Sequence, residues 1–124
     1  MAGVQTTDEL LQVLDRLVGE SVAQFQVLGV NSLKSVVPSP SDLVGSKVLS
    51  VSAAERHLTL EIGPFTASVD LQRTGRLQWL DAAEPAQIGH PSLPTIRLIL
   101  ESGAGLDFSE PAKTKRISVK ITAT

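Results

Sequence analysis

The stretch HLTLEIGPFTASVDLQRTGRLQWL, from His57 to Leu80, decides the fold, because it contains three strand patterns separated by two breaks. Over His57–Ile62 apolar and polar side chains alternate, which is typical of a strand with one buried face. Gly63 and Pro64 then turn the chain. A second apolar alternation follows at Ala67, Val69 and Leu71, and a third strand is predicted over Arg76–Leu80 after the polar residues 72–75.

The same alternation predicts further strands on both sides of this stretch. They are Val22–Val27, Leu33–Val37 and Lys47–Ala53 before it, and after it the runs marked by Ile96, Leu98 and Leu100, by Leu106 and Phe108, and by Ile117, Val119 and Ile121. Pro38–Asp42 is predicted to be a turn leading into one short helical turn through Val44. Asp81–Pro94 is predicted to be a long loop, and Ser102–Gly105 a hairpin turn.

The N-terminal part has a different period. Apolar residues recur there at helical spacing: Leu10, Leu11, Val13, Leu14, Leu17 and Val18. Thr6 and Glu9 fit a capping box, in which the threonine hydroxyl accepts from the Glu9 amide and the Glu9 side chain reaches back. Gly19 is the predicted stop. The sequence therefore predicts one amphipathic N-terminal helix.

Together these patterns predict a mainly β fold, an antiparallel β-sandwich or flattened barrel of about eight strands with the N-terminal α-helix against an open edge or end. With 124 residues, the chain is expected to form one domain over 1–124. Since 42% of the residues are apolar and 3% aromatic, the core is expected to be aliphatic.

Composition excludes several kinds of site. The chain has no cysteine, so disulfides, thiolate nucleophiles and cysteine–zinc sites are excluded. It has two histidines far apart in sequence, so no metal site and no cofactor are expected. The net charge of −2 predicts no strong overall attraction to nucleic acid or to an anionic membrane. Without a long apolar run or a secretory signal, a cytoplasmic protein is expected.

The order of several motifs resembles a known family. After the helix ending in Leu17-Val18-Gly19, the chain has LVGSKVLSV (43–51), ERHLTLEIG (55–63), VDLQRTGRL (69–77) and IRLILESGAGLDFSEPAKTKRISV (96–119). This resembles the N-terminal catalytic domain of formamidopyrimidine-DNA glycosylases and endonuclease VIII enzymes, with family motifs such as GKHLLLEL, HLGMTGRL and LHFNDPRRFGRV. The resemblance implies a DNA-repair domain of the base excision type, built as a β-sandwich with its first helix along it.

The resemblance also implies a catalytic apparatus that this chain lacks. The family uses an N-terminal proline amine as nucleophile and the following glutamate in proton transfer, whereas Met1 and Ala2 stand at those places here. A proton-transferring group must lie within hydrogen-bond reach of the sugar, and Asp8 and Glu9 are better explained as capping residues. We therefore predict no catalytic residue. An enzyme that uses the primary amine of Ala2 is a third hypothesis.

The DNA-contacting motifs are altered as well. Arg73 replaces the methionine wedge of the family, while Ala112 and Thr114 replace an arginine and a phenylalanine of its minor-groove loop. Arg56 matches the family's phosphate-contacting lysine and Arg76 matches its arginine. The predicted nucleic-acid-binding residues, which share a positive charge, are Arg56, Arg73, Arg76, Lys113, Lys115 and Arg116. At most weak, salt-sensitive DNA binding is expected.

Two alternatives remain for these cations. Arg73 and Arg76 also fit solvated charges at a hairpin tip, and the lysines near the C-terminal strand also fit the blunting of an exposed sheet edge. Residues 1–55 hold three basic and six acidic side chains and residues 56–124 hold eight and seven, so a basic patch requires clustering in three dimensions. The second hypothesis is therefore a protein-interaction or structural β-sandwich without a nucleic-acid role. The helical and zinc-ribbon parts of the family are absent, so a missing C-terminal domain is one partner to consider.

Overall fold

The computed structural model describes residues 6–28, 40–72, 75–86, 94–110 and 117–123. Its described residues form one α-helix, one short 3₁₀ turn and eight strands. In chain order these are α1 (Thr7–Asp15), β1 (Val22–Val27), the 3₁₀ turn (Pro40–Leu43), β2 (Val48–Ala54), β3 (His57–Ile62), β4 (Phe65–Asp70), β5 (Arg76–Leu80), β6 (Ile96–Leu100), β7 (Gly105–Ser109) and β8 (Ser118–Ala123).

The strands form two four-stranded antiparallel sheets. The first sheet has the order β1-β6-β7-β5 and the second has the order β2-β3-β4-β8. Each sheet turns one face toward the core, so the alternation of apolar and polar residues along each strand is used as predicted. This confirms the mainly β, antiparallel sandwich of eight strands with an N-terminal helix. The predicted strand Leu33–Val37 lies outside the described residues.

The quoted stretch builds the centre of the second sheet. β3 pairs with β4 without a register shift, from His57 opposite Asp70 to Ile62 opposite Phe65. Leu58 and Leu60 thus lie opposite Val69 and Ala67 on the inner face, and all four side chains are fully buried. Because side chains alternate along a strand, a shift by one residue would expose this entire apolar set, which fixes the register.

The core between the sheets is aliphatic, as expected. Its largest fully buried side chains are Phe108, Leu10, Leu14, Leu17, Leu43, Leu58, Leu60, Ile62, Leu71, Ile96, Leu98 and Leu100. Phe108 is the one aromatic residue in this set. Three polar residues are also buried among the described residues, Thr95, Asp107 and Glu110, and each needs hydrogen-bond partners because burial removes water.

Helix α1 begins as predicted and ends earlier than predicted. Thr6 is its N-cap: its hydroxyl accepts from the Glu9 amide at 3.1 Å, and its own amide donates to a Glu9 carboxylate oxygen at 2.9 Å. The α-helix ends at Asp15, and turns continue to Gly19, where φ is +90°. The predicted helical stop at Gly19 was therefore too late. Val18, which was predicted on the apolar stripe, is 45% exposed, since the chain has left the helix before it.

The helix closes the side of the sandwich between β2 and β5, which are edge strands of different sheets. Leu10 and Leu14 are fully buried on this side. At the C-terminal end of α1 the Arg16 guanidinium lies over the Trp79 ring, 4.2 Å from its centroid. Trp79 is partly buried against the core. The prediction of a helix against an open edge is confirmed.

The described part of the long loop after β5 crosses the outer face of the first sheet. The Ala83 amide donates to the Gly103 carbonyl at 2.8 Å, and the Ala86 amide donates to Gln26 Oε1 at 2.8 Å. Gly105 lies under this crossing, and a Cβ there would stand 2.5 Å from Ala83 Cβ. The segment is therefore packed on the sheet by close contacts as well as by hydrogen bonds.

An ion pair on the outer face of the first sheet supports the same crossing. Arg97 and Asp107 lie opposite each other on β6 and β7. Two parallel hydrogen bonds join them, of 2.7 and 2.9 Å, and Arg97 Nη1 donates to the Glu84 carbonyl at 2.9 Å. The Asp107 carboxylate raises the pKa of the Arg97 guanidinium through the hydrogen bond and its charge. A bidentate pair of this kind is geometrically specific, so it fixes residue 84 over the sheet.

Candidate nucleic-acid interface

One end of the sandwich gathers the segments that carry the predicted site residues. The two-residue turn between β2 and β3 lies there, as do the ends of β4 and β7 and the starts of β5 and β8. The short connection between β4 and β5 and the contact between the residues flanking 111–116 join the two sheets at this end. We call it the loop end.

Arg56 stands in the β2–β3 turn and reaches across the loop end. Its Nε donates to the Gln72 carbonyl at 3.0 Å, and its Nη2 donates to the Gly75 carbonyl. The Arg56 carbonyl in turn accepts from the Leu71 amide at 3.0 Å. Partial burial lowers the pKa of Arg56, yet a guanidinium remains protonated in proteins. Arg56 therefore brings a permanent positive charge to the loop between β4 and β5.

The loop that Arg56 contacts has an unusual backbone. Gln72 has φ of +59°, a left-handed conformation that is uncommon for residues other than glycine, and its amide donates to Asp70 Oδ1 at 2.9 Å. The Gly75 amide donates to the Leu71 carbonyl at 3.0 Å. A Cβ at Gly75 would lie 2.3 Å from that carbonyl oxygen, so the tight loop requires glycine there.

Arg76 follows this loop as the first residue of β5. It is exposed and lies opposite Ser109 of β7. The next residue, Leu77, is buried, so Arg76 projects from the outer face of the first sheet. Gly75, whose carbonyl Arg56 holds, directly precedes Arg76 in the chain. The structure thus brings the segments of Arg56 and Arg76 together, as the predicted site requires.

Glu110 holds the base of the segment that carries the other predicted cations. Its side chain is almost fully buried, and its Oε1 accepts from the Ile117 amide at 2.9 Å. Glu110 precedes residues 111–116 and Ile117 follows them. This carboxylate therefore joins the two flanks of the segment. Lys113, Lys115 and Arg116 themselves, like Arg73, lie outside the described residues, and their predicted role stays a prediction.

The start of α1 lies at the same end. The Thr7 hydroxyl donates to the Glu55 carbonyl in the β2–β3 turn at 3.2 Å. The turn is itself strained, since Glu55 has φ of +56°. Residues 1–5 lie outside the described residues. The cap of α1 therefore stands beside the residue that precedes Arg56.

The described residues of the loop end do not form a strongly basic surface by themselves. Arg56 and Arg76 are accompanied by three carboxylates, those of Glu55, Asp70 and Glu110. A net positive field at this end would require the further cations of the sequence, Arg73, Lys113, Lys115 and Arg116, which lie outside the described residues.

Neither a metal site nor a membrane span emerges from the described chain. Over residues 6–28, 40–72, 75–86, 94–110 and 117–123, no group of three or more His, Asp or Glu side chains is arranged to hold a metal ion. Among the helices of these same residues, none is long and apolar enough to cross a membrane.

Sequence reasoning missed the structural part of this site. Glu110 and Pro111 were noted as part of the family resemblance, and the buried hydrogen bond to Ile117 was not foreseen. The available signal was an acidic residue at the end of a strand that is otherwise apolar on one face. Likewise, Arg56 was assigned to phosphate by resemblance, and its bonds to the loop carbonyls depend on contacts across 16 and 19 residues.

The two sheets, the helix across their edges and the loop end define an antiparallel β-sandwich, and several solved structures share this fold. The chain superimposes on a complex between Lactococcus lactis Fpg and abasic-site DNA with a TM-score of 0.75 and 15% identity, covering 95% of this chain and 43% of the other. A complex of the Lactococcus lactis FPG mutant T221P with Fapy-dG DNA superimposes with a TM-score of 0.76 and 15% identity, covering 95% of this chain and 42% of the other. MutM in complex with carbocyclic 8-oxo-G DNA superimposes with a TM-score of 0.76 and 15% identity, covering 95% of this chain and 43% of the other.

These similarities establish the fold. The chain has an Fpg-like fold, in agreement with the resemblance seen in its motifs, and it spans less than half the length of these structural relatives. No protein-family model matches the chain. No curated protein sequence matches it significantly either.

Proposed function

We propose that this chain is a DNA-repair glycosylase-like domain that binds DNA weakly through its loop end and does not excise bases. The observation that carries the proposal is the joining of Arg56 to the loop before Arg76, within a fold shared with proteins solved in complex with DNA. Arg76, exposed beside the loop that Arg56 holds, can pair with a phosphate, which supplies affinity without sequence information.

The proposed lack of catalysis follows from the chemistry at the N-terminus. The family resemblance places the nucleophilic proline and its glutamate where this chain has Met1 and Ala2. The family, as the resemblance implies, uses a secondary amine for attack on the sugar and an adjacent carboxyl for proton transfer. Of the two nearest described carboxylates of α1, Asp8 and Glu9, both in its first turn, Glu9 is engaged in the capping box.

Fluorescence anisotropy with a labelled duplex of about 20 base pairs, carrying an abasic analogue, tests the proposed DNA binding. We expect binding at low ionic strength that weakens steeply as salt rises, because each neutralised phosphate adds about −0.9 to the slope of log K against log salt. Arg76→Gln should reduce that slope by about one, whereas Asp15→Asn, a change at the far side of α1, should not reduce it. An affinity that does not change with salt would refute the proposal.

Borohydride trapping tests the proposed lack of catalytic activity. The protein is incubated with abasic or 8-oxoguanine duplex and reductant, and the expected result is that no covalent protein–DNA adduct forms. A trapped adduct would overturn the proposed inactivity. If the adduct disappears when Ala2 is replaced by a bulky residue, the primary-amine hypothesis is correct instead.

The alternative, a protein-interaction module, is favoured by one specific observation. Val18, Val44 and Leu49 are large apolar residues of the described chain that are 45%, 50% and 57% exposed. All three stand near the end opposite the loop end, where the Gly19 amide bonds the Val48 carbonyl and the Gly45 amide bonds the Val22 carbonyl. If Val44→Ser with Leu49→Ser removes a measured protein association while salt-dependent DNA binding is undetectable, the interaction function is the correct one.

A further inference from the structure

The Arg56 side chain has a second role in the structure, which its alignment with the family's phosphate-contacting lysine does not suggest. Two of its donors, Nε and Nη2, point at main-chain carbonyls of the loop between β4 and β5. These carbonyls belong to residues 72 and 75, one on each side of residues 73 and 74. One guanidinium therefore ties both flanks of this loop to the β2–β3 turn.

The loop between β4 and β5 requires stabilising hydrogen bonds of this kind. Gln72 occupies a left-handed conformation that costs an ordinary residue free energy, and Gly75 is buried. A buried carbonyl without a donor is costly, and a charged donor meets this need better than a neutral one. The loop has three further supports: Asp70 Oδ1 accepts from the Gln72 amide, the Leu71 carbonyl accepts from the Gly75 amide, and the Arg56 carbonyl accepts from the Leu71 amide. Of the hydrogen bonds described above, those of the Arg56 side chain are the ones that connect the carbonyls of residues 72 and 75 to the β2–β3 turn.

We propose that Arg56 is a positioning residue, which fixes the backbone at 72 and 75 and thereby sets where Arg76, the residue after Gly75, stands relative to a nucleic acid. Its part in binding rests on the proposed DNA function, whereas its part in holding the loop does not. The observation that distinguishes it from a phosphate contact is that two nitrogens of its planar group, Nε and Nη2, donate to main-chain carbonyls. Lysine carries its charge on a single nitrogen and cannot reproduce that fork.

Arg56→Lys and Arg56→Gln, each checked for folding by circular dichroism and thermal melting, separate positioning from charge. Hydrogen exchange of the peptide covering residues 71–77, read without DNA, is the first measurement. We expect the Gly75 amide to exchange at least about tenfold faster in both variants, because a charge-assisted tie to its loop is lost. Arg16→Lys, which alters an exposed arginine after α1 and outside this peptide, is the matched control and should leave this exchange rate unchanged.

DNA affinity across a salt series, with the same duplex, is the second measurement. If Arg56 positions the loop, Arg56→Lys loses affinity as severely as Arg56→Gln, by about tenfold, while Arg16→Lys, after α1, stays near the wild type. If Arg56→Lys retains the wild-type affinity, Arg56 is a direct phosphate contact and its positioning role in binding is refuted. If the Gly75 amide exchanges at an unchanged rate in Arg56→Lys, the proposal that the Arg56 side chain holds the loop is refuted.

The two proposals fail in distinguishable ways. When the wild-type chain binds no duplex at any salt concentration, the DNA function is wrong, and the exchange measurement still decides whether Arg56 holds the loop. When the wild type binds and Arg56→Lys alters neither exchange nor affinity, the DNA function stands and the positioning role is wrong.

Discussion

The two ends of the sandwich are held together by different chemistry. At the end opposite the loop end, main-chain bonds predominate: Gly19 donates to Val48, Val22 to Ser46, Gly63 to Lys47 and Glu101 to Ser21, at 2.8 to 2.9 Å. We call this end the backbone end. Glycines at positive φ make its turns, with Gly19, Gly45, Gly63 and Gly103 between +57° and +99°.

At the loop end, side chains make the corresponding connections. Arg56 bonds two carbonyls, Glu110 bonds the Ile117 amide, Asp70 bonds the Gln72 amide and Thr7 bonds the Glu55 carbonyl. The positive-φ residues here are Glu55 and Gln72, neither of them glycine. Backbone ties tolerate most substitutions, whereas side-chain ties depend on particular residues. The loop end is therefore the end whose shape the sequence can change one residue at a time, which suits a binding surface.

The largest contrast is expected between two glycines, one at each end. Gly75→Ala would bring a Cβ to 2.3 Å from the Leu71 carbonyl oxygen, so the backbone must move, at a cost of about 3 kcal/mol. Gly103→Ala meets no atom within 4 Å and suffers only the strain of φ at +99°, about 1 kcal/mol. Urea unfolding of both variants measures the two costs. Equal losses would mean that the loop end is as adaptable as the backbone end.

Glu110 offers the next largest effect. Glu110→Ala leaves the Ile117 amide without its buried acceptor and should destabilise the fold by about 2 kcal/mol. Glu110→Gln keeps an oxygen at the same place, so its loss of stability should be less than half that of Glu110→Ala. Hydrogen exchange at the Ile117 amide should stay slow in this variant. If both variants lose the same amount, the carboxylate charge, rather than the bond to Ile117, stabilises this connection.

The strained turn before Arg56 predicts that one substitution stabilises the fold. Glu55 has φ of +56°, so Glu55→Gly relieves a conformation that L-residues resist, and we expect about 0.5 kcal/mol of added stability after the entropic cost of glycine. Ala54→Gly, one residue earlier in regular β2, has no such strain to relieve and should destabilise. Thermal melting of the pair decides the point. A destabilised Glu55→Gly variant would show that the glutamate side chain contributes more than the strain costs.

The smallest effect concerns pH. The hydrogen bonds from the Thr6 amide and hydroxyl lower the pKa of Glu9 in the folded chain below its ordinary value of 4.5. The folded pKa is the lower one, so the stabilisation is present above pH 4.5 and is lost as the pH falls through the folded pKa. Melting temperatures from pH 7 to pH 2.5 should show a slightly smaller acid loss for Glu9→Gln than for the wild type. Parallel curves would mean that the capping carboxylate contributes nothing.

The sequence alone determined the features that depend on neighbours in the chain. The capping box of Thr6 and Glu9, the alternation over His57–Ile62 and the turn at Gly63 all come from interactions within a few residues, and the structure confirms each of them. The Fpg-like sandwich was predicted by the resemblance of the chain's motifs, in their order, to those of a known family.

Only the tertiary structure decided how these elements meet. The turns after Asp15 end at Gly19, whose amide donates to the distant Val48 carbonyl, and the role of Arg56 depends on carbonyls 16 and 19 residues away. A residue's type fixes its charge and donors, whereas its partner is fixed by where the sheets place distant backbone groups. The sequence could therefore supply the list of cations, and the packing of the two sheets determined which of them holds a loop.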